Sequence, residues 1–405
     1  MTHRDPVIIA GGGPVAAVLA VALWKQDIPI TVLERETQPL IDQRAASNHP
    51  PTIEMLVELG LGDILKEGLE APKYRIWDRE TRETIVEFDL TELSDEFAYP
   101  FVLQYEQYKT VRKILDLFSG KTGFNFLFEH EVRTLKQESN HVNVEVKLPD
   151  GSIKTMRASF IIGCDGAGST IRKEAEIDYL GFTYDENFIK IGTYFDFSVI
   201  PGVQHRNFWS DPYEWCNLFK VNGEPPDPPI WRGVFPMRKN ETPEQASRPE
   251  AIQERLQRFF PKTGAYDIAY SNVYTVHQRV AKTFHKGRVI LAGDSAHANN
   301  PIGGMGLNGG IHDAINLAEK LGRVWRGEAS EDLIGLYSRQ RHKAATDFIQ
   351  AQTIANKKMM EDSDPKSRKK RFDDLRRVGE DKEKRRDYMR RAQLMDSLRA
   401  AETTV

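Results

Sequence analysis

Short runs of apolar residues recur along this chain, and several end abruptly in small or acidic ones. Val7-Ile8-Ile9-Ala10 runs straight into Gly11-Gly12-Gly13, Ile30-Thr31-Val32-Leu33 stops at Glu34, and Phe160-Ile161-Ile162-Gly163 leads to Asp165 and Gly166. Continuous apolar runs of this length, bounded by turn residues, predict strands buried inside a sheet. Between the first two lies Pro14–Leu23 (PVAAVLAVAL), small and apolar, which predicts a helix packed tightly on that sheet. Strand, helix and strand make a βαβ unit with a right-handed crossover.

The pattern then changes several times. Residues 41–67 read as a loop followed by a helix (TIEMLVELGLGDIL), and VRKILDLF, from Val111, has helical spacing. Residues 74–98 alternate apolar and charged positions like an exposed hairpin, and HVNVEVKLPDGSIKTM is a second hairpin turning at Pro149-Asp150-Gly151. From about 181 to 277 aromatic residues are dense and strands alternate with turns, with Pro225–Pro229 a stiff loop among them. Strand, glycine loop and helix return at 288–326, and from about 361 the chain is highly charged, with sparse apolar residues (Phe372, Leu375, Leu394, Met395, Leu398) that fit surface helices. The predicted organisation is an α/β domain of 1–73, 99–180 and 278–345, a β-rich domain of 74–98 and 181–277, and a charged helical segment, 346–405.

Composition narrows the function. In 405 residues there are 56 Lys and Arg against 59 Asp and Glu, a net charge of −3, so neither nucleic acid nor an anionic membrane is an expected partner. Two cysteines are too few for a disulfide framework and fit a reducing cytoplasm. The start, MTHRDPVIIAGGG, is not read as a signal peptide, and no apolar run approaches the roughly 18–20 residues of a membrane span. No metal is expected.

Three strand-to-helix turns carry the candidate chemistry. Gly11-x-Gly13-x-x-Ala16 has the form of a dinucleotide turn. Gly11 makes the bend, Gly13 lets a pyrophosphate approach the backbone, and Ala16 allows close helix packing. Glu34, 23 residues after Gly11, is placed to accept hydrogen bonds from a ribose diol. The second turn is Gly163-Cys164-Asp165-Gly166-Ala167-Gly168-Ser169-x-x-Arg172, whose Asp could equally be a helix cap. The third, Gly293–Ala314 (GDSAHANNPIGGMGLNGGIHDA), puts six glycines in 22 residues beside Asp294, His297 and Pro301. A glycine loop pinned between a strand and a helix suits close approach of backbone to a ligand.

In order and content these three segments (GGGPVAA, GCDGAGSTIR, GRVILAGDSAHANNPIGGMGLN) resemble the fingerprints of the single-component FAD-dependent aromatic hydroxylases, the para-hydroxybenzoate hydroxylase group. The resemblance covers roughly residues 5–345. Within the group, YPFVLQYEQ, VYTVHQRVAKTF and NNPIGGMGLNGG look most like the para-nitrophenol 4-monooxygenase branch. It implies a Rossmann-like FAD-binding domain of that type, interleaved with a β-sheet substrate domain and followed by C-terminal helices. Carried over by position, Gly11, Gly13, Pro14, Ala16, Glu34 and Arg35 hold the ADP half of FAD, and Arg44 lies along the cofactor. Gln104 contacts its phosphate and ribityl region, and Asp165 and Gly166 serve FAD and the approach of NADH or NADPH. Gly293 and Asp294 bind the ribityl hydroxyls, Pro301 faces the flavin ring, and Gly304, Gly306, Leu307 and Asn308 meet its pyrimidine edge. The backbone N–H groups of that loop, at the start of a helix over 308–321, would meet the negative charge of reduced flavin. Cys164 stands where alanine is commoner in the family, and Gly168 where an arginine or similar residue often stands.

The resemblance further implies a reaction. NADH or NADPH reduces the flavin, O2 adds at C4a, and the hydroperoxide's distal oxygen attacks an electron-rich carbon of a small phenolic or amino-substituted arene. The para-nitrophenol likeness suggests ipso attack para to the hydroxyl, expelling a group as a quinone forms. With no second Rossmann unit for the nicotinamide, the flavin is expected to swing outward for reduction. His297 is either a proton relay or a structural member of its loop. Arg232, Tyr194, Trp215, Trp231, Phe235 and His277 are candidates for the substrate pocket, each equally readable as sheet packing. The enzyme is expected to be a monomer or homodimer. Three rivals share the fold: a flavin-dependent halogenase, an isoprenoid or quinone-type hydroxylase or reductase, and a catalytically idle FAD-binding protein. The halogenase pattern W-x-W-x-I-P is only half met by Trp231-Arg-Gly-Val-Phe-Pro236.

Overall fold

The apolar runs form the centre of an open sheet. In the computed structural model, which describes residues 4–41, 45–224 and 226–405, six strands lie side by side. Their order is His285–Lys286, Val289–Leu291, Phe160–Gly163, Val7–Ala10, Ile30–Leu33 and Phe124–Leu127, all parallel except the first pair. Val7, Ile8, Ile9, Ile161 and Ile162 are wholly excluded from solvent, each contributing about 1.5–3 kcal/mol of burial. Helices pack on the sheet through small residues. A methyl group on Gly310 of the Met305–Trp325 helix would stand 2.6 Å from a Val15 methyl of the Pro14–Trp24 helix, so these two helices cross at glycine distance.

A second, seven-stranded sheet has the order Ile268–Tyr274, Phe188–Thr193, Ile230–Pro236, Cys216–Val221, Arg206–Ser210, Lys73–Asp78, Thr84–Asp89. It is antiparallel except where Arg206–Ser210 runs parallel to Lys73–Asp78. One face packs on a helix, Pro249–Phe259, through Trp77, Trp209, Trp231, Phe235 and the helix residues Ile252, Leu256 and Phe259. The reading of 181–277 as strands and turns missed this helix and the shorter Pro243–Ala246 before it. The spacing of Ile252, Leu256 and Phe259 is helical and was a usable signal.

The hairpin over 74–98 forms, as Lys73–Asp78 paired with Thr84–Asp89, but it is not exposed. Tyr74, Ile76, Val86 and Phe88 are buried because the charged C-terminal helices lie across one face, and Trp77 is buried on the other face with the Pro249–Phe259 cluster. Tyr388 stacks on Phe88 with ring centres 4.5 Å apart, and Phe372 and Leu375 join the same cluster. The charge pattern of the tail acts at the rim, where Arg385 binds Glu92 and Arg386, Arg390 and Arg399 all bind Glu96. Asp364 and Asp381 cap the helices Pro365–Glu380 and Lys382–Ala392 with their side chains.

Two boundaries differ from expectation. The helix expected from 308 begins at Met305, and the one expected over 52–65 is interrupted at Gly60, whose φ of 89° breaks the right-handed path. Among the described residues, no helix is long and apolar enough to cross a membrane.

Candidate functional site

The three predicted turns open onto one cavity of about 310 Å³, beyond the carboxyl ends of the parallel strands. Gly13, Pro14 and Val15 line it from the first turn, Cys164, Gly166 and Ala167 from the second. Ala292, Asp294, Asn299, Pro301, Gly304, Gly306 and Leu307 line it from the third. The opposite wall is the seven-stranded sheet and the residues that follow it: Arg206, Asn217, Phe219, Val234 and Tyr274 to His277.

Each turn is held by specific contacts. Gly11 has φ 95°, and a methyl group there would stand 2.6 Å from the Cys164 carbonyl oxygen, so the first turn passes under the second only as glycine. Glu34 accepts the Gly12 N–H at 2.5 Å and the Glu36 N–H at 2.9 Å. A methyl group on Gly12 would stand 2.8 Å from the Glu34 Cβ, so this middle glycine is also required, although the motif leaves it unspecified. Asp165 accepts from Ser169 Oγ at 2.5 Å and from the Ile171 N–H at 3.1 Å, and so anchors the start of Thr170–Glu174. Burial pushes its carboxyl above the usual range, against the pull of those bonds. Burial likewise pushes up the Cys164 thiol beside it.

The second and third turns are tied together by residues whose linking role the motifs do not assign. Ser295 Oγ donates to the Gly163 carbonyl at 2.5 Å. Arg172 donates to the carbonyls of Ser295 and Ala167 at 2.9 and 2.7 Å and lies 3.8 Å over the Tyr179 ring, whose hydroxyl donates to the Asp294 carbonyl. Beneath them Asp313 is wholly buried. It accepts the Gly293 N–H at 3.0 Å, His297 Nε2 at 2.8 Å and Arg341 Nε at 2.6 Å. Burial opposes its ionisation, but His297 and Arg341 hold its carboxyl below the ordinary value.

Of the residues predicted for the cofactor, Gly13, Pro14, Gly166, Asp294, Pro301, Gly304, Gly306 and Leu307 line the cavity together. Gly11, Glu34, Asp165 and Gly293 shape its turns from behind, and Ala16 is buried in the first helix. Gln104 is buried with Oε1 on Ser47 Oγ, and Ser47 does line the cavity. Asn308 spends its carboxamide on the backbone, accepting from His49 N–H and donating to the Ser47 and Gly304 carbonyls. Arg35 is a surface residue paired with Glu36. Arg44 lies outside the described residues.

On the sheet side only His277 of the candidates reaches the cavity. Trp231 and Phe235 face the helix Pro249–Phe259 instead, Trp215 packs against Phe188, and Tyr194 lines a neighbouring crevice. Arg232 is buried against Glu106 at 3.1 Å. His297 is buried behind the loop, bonded to Asp313 and stacked on Phe284. The physical reason is parity: successive strand residues point to opposite faces, so Arg232 and Val234 lie on the face opposite Trp231 and Phe235. Arg206, Asn217, Phe219 and Val234 were missed for this reason.

The arrangement fits a long anionic dinucleotide. Both helices that start at the cavity, Pro14–Trp24 and Met305–Trp325, lack a side-chain cap and a first-turn acid, leaving their N–H groups and positive dipole ends for a ligand. Methyl groups on Gly13 or Gly166 would meet nothing within 4 Å, so the cradle is open at both. Gln104 Nε2 and Asn299 Oδ1 are buried with no partner among the described residues.

Comparison with known proteins agrees with this geometry. The family described as FAD binding domain matches residues 4–352. The chain is 32% identical to para-nitrophenol 4-monooxygenase of Pseudomonas sp. (strain WBC-3) over 91% of its length and 90% of that protein's. It is 26% identical to 6-hydroxy-3-succinoylpyridine 3-monooxygenase of Pseudomonas putida (strain DSM 28022 / S16), over 98% and 100%. The crystal structure of p-nitrophenol 4-monooxygenase PnpA from Pseudomonas putida DLL-E4 superposes over the whole of both chains with a TM-score of 0.91 at 30% identity.

Proposed function

The chain belongs to the FAD binding domain family and is an FAD-dependent aromatic monooxygenase; on that premise we propose that it oxidises a small phenol at the ring carbon para to the hydroxyl, with NADH or NADPH as electron donor. The observation that carries the reading is the shared cavity, with three phosphate- and sugar-type turns on one side and a sheet of mixed apolar and polar side chains on the other. The likeness to proteins named for para-nitrophenol supports the choice of ring and position.

When bound, FAD supplies hydride acceptance and oxygen activation. In this reading the rest falls to the chain. Gly13 and Gly166 take the diphosphate at the first helix start, and Glu34 and Asp294 take the ribose and ribityl hydroxyls. Free N–H groups at Gly306 and Leu307 would stabilise negative charge on the cofactor, aided by the dipole of a 21-residue helix. Pro301 bounds the ring, and Phe219, Val234 and Val276 exclude water from the substrate. His277 Nδ1 is fixed on Thr183 Oγ1 at 2.9 Å, leaving Nε2 to exchange a proton with the phenol oxygen. The six-stranded sheet and its turns serve the cofactor and the seven-stranded sheet the substrate. Two free thiols support a reducing, cytoplasmic setting.

The deciding experiment is a panel of para-substituted phenols offered to FAD-loaded protein, with nicotinamide consumption and product mass followed together. The expected result is phenol-stimulated NADH or NADPH oxidation, without an added flavin reductase, giving a ring product that has gained oxygen. A protein that stays colourless after reconstitution, or oxidises nicotinamide at the same rate with and without phenols, rules the proposal out.

A further inference from the structure

We propose that Arg206 is the anion anchor of the substrate half of the cavity and holds the deprotonated oxygen of the phenolic ring; the inference rests on the monooxygenase reading above and names the form of substrate that site selects.

Arg206 sits at the start of the strand Arg206–Ser210, between Tyr74 and Phe219 on the neighbouring strands. It is 6% exposed and lines the large cavity. The same side chain borders a small void of about 30 Å³ that Gly303 also lines. Its one hydrogen bond within the described residues is a long one, 3.4 Å, from Nη2 to the Gly303 carbonyl. Otherwise it rests on the rings of Tyr74 and Phe208, at 5.8 and 5.7 Å. No carboxylate among the described residues lies within ion-pair distance.

Other buried arginines of this protein are better satisfied, and even Arg172, which also has no carboxylate partner among the described residues, donates to two carbonyls at 2.9 and 2.7 Å. Arg232 is paired with Glu106, Arg255 with Glu214 and Glu241, and Arg341 with Asp313. A buried cation with no counter-charge is costly, and is retained where an anion completes it. Burial lowers the guanidinium only to about 10, so it is still a cation at neutral pH. The titratable groups nearest it offer no competing anion. Burial raises the Tyr74 phenol well above its ordinary value, burial lowers His49, and burial raises Tyr388 to about 12.

The surroundings select among anions. Beside Arg206 the sheet wall offers Phe219 and Val234 as apolar surface and Asn217 as one polar group, which suits a flat ring bearing one charged oxygen. A guanidinium there favours ionised phenol, the electron-rich form that oxygen transfer needs. The same cation could instead answer the negative charge of reduced flavin, since Gly303 adjoins the loop that faces the cofactor. The test separates the two.

Wild type, Arg206→Gln and Arg206→Lys, each loaded with FAD, are titrated with 4-nitrophenol above that ligand's own pKa and with its methyl ether, following the flavin absorbance. Loss of a charge-assisted bond should raise the phenolate Kd roughly 10- to 100-fold in Arg206→Gln. The ether's Kd should hold, and Arg206→Lys should recover part of the loss. The midpoint potential of the bound flavin is measured on the same samples. If Arg206→Gln does not load FAD, Arg206→Lys carries the comparison, with the phenolate weakened and the ether unchanged. Equal weakening of both ligands, or an unchanged phenolate Kd, overturns the proposal, and an unchanged phenolate Kd with a lowered flavin potential assigns the cation to the cofactor instead. Wild-type protein that loads FAD but binds no phenol removes the functional reading as well, and does so before any variant is compared.

Discussion

Asp313 is the residue whose replacement tests the architecture of the site most directly. It is wholly buried and its two oxygens serve three donors: Gly293 N–H, His297 and Arg341. Asp313→Asn keeps the shape and one acceptor, but removes the charge and turns an amide N–H toward donors. Arg341, 1% exposed, is left as an uncompensated buried cation. Breaking such a pair costs about 3–5 kcal/mol. With an unfolding entropy of about 2.1 cal/mol/K per residue, 405 residues give about 0.85 kcal/mol/K, so the melting midpoint should fall by about 4–6 °C. Because Asp313 holds the Gly293 N–H, the Gly293-Asp294 turn should loosen, and FAD content should fall as well. Thermal unfolding followed by circular dichroism, with the flavin-to-protein absorbance ratio of the purified protein, reads both. Adding Arg341→Met to Asp313→Asn removes the stranded charge and should recover about half of the loss or more. A single variant that melts within about 1 °C of wild type and carries full FAD would refute the reasoning.

Three further outcomes are expected. Asp294→Ala should weaken FAD binding roughly 10- to 100-fold, read by flavin fluorescence on titration, and retained occupancy and activity would remove Asp294 from the cofactor site. Gly310→Ala should destabilise the fold by about 1–3 kcal/mol, since the added methyl stands 2.6 Å from a Val15 methyl and 3.2 Å from the Gly293 Cα; an unchanged melting midpoint would show that the helices can part. Glu96 has its carboxyl lowered below 4.5, first through its hydrogen bond from Arg390. A lowered folded-state pKa means the stabilisation is complete above 4.5 and is lost as pH falls through the folded value. Acid should therefore loosen the C-terminal helices in that window, read by hydrogen exchange over 382–399, and Glu96→Gln should flatten the dependence.

The turns were legible in the sequence because their causes are local. A run such as Val7–Ala10 followed by Gly11-Gly12-Gly13 carries both the buried strand and the bend that ends it, and the same holds for Phe160–Gly163 and Val289–Leu291. Asp294 and the glycines of its loop were found for this reason. Their supports were not legible. Asp313 and Arg341 lie in helical patterns where a charged residue ordinarily faces solvent, and only the packing of Met305–Trp325 against its neighbours puts them under Gly293.

The substrate wall shows the limit most clearly. Ile230–Pro236, Phe188–Thr193 and Arg206–Ser210 are buried at every position, one face with the helix Pro249–Phe259 and the other reaching the cavity only at Arg206 and Val234. A strand covered on both faces loses the alternation that would mark its orientation. Local pattern determined that these strands exist, that the sheets differ in kind, and where the chain turns tightly. Which residues of the second sheet meet the cavity, and that Arg206 does so without an acid while Arg232 has one, was decided by how distant segments pack, because burial and pairing are properties of neighbours brought together only in the folded chain.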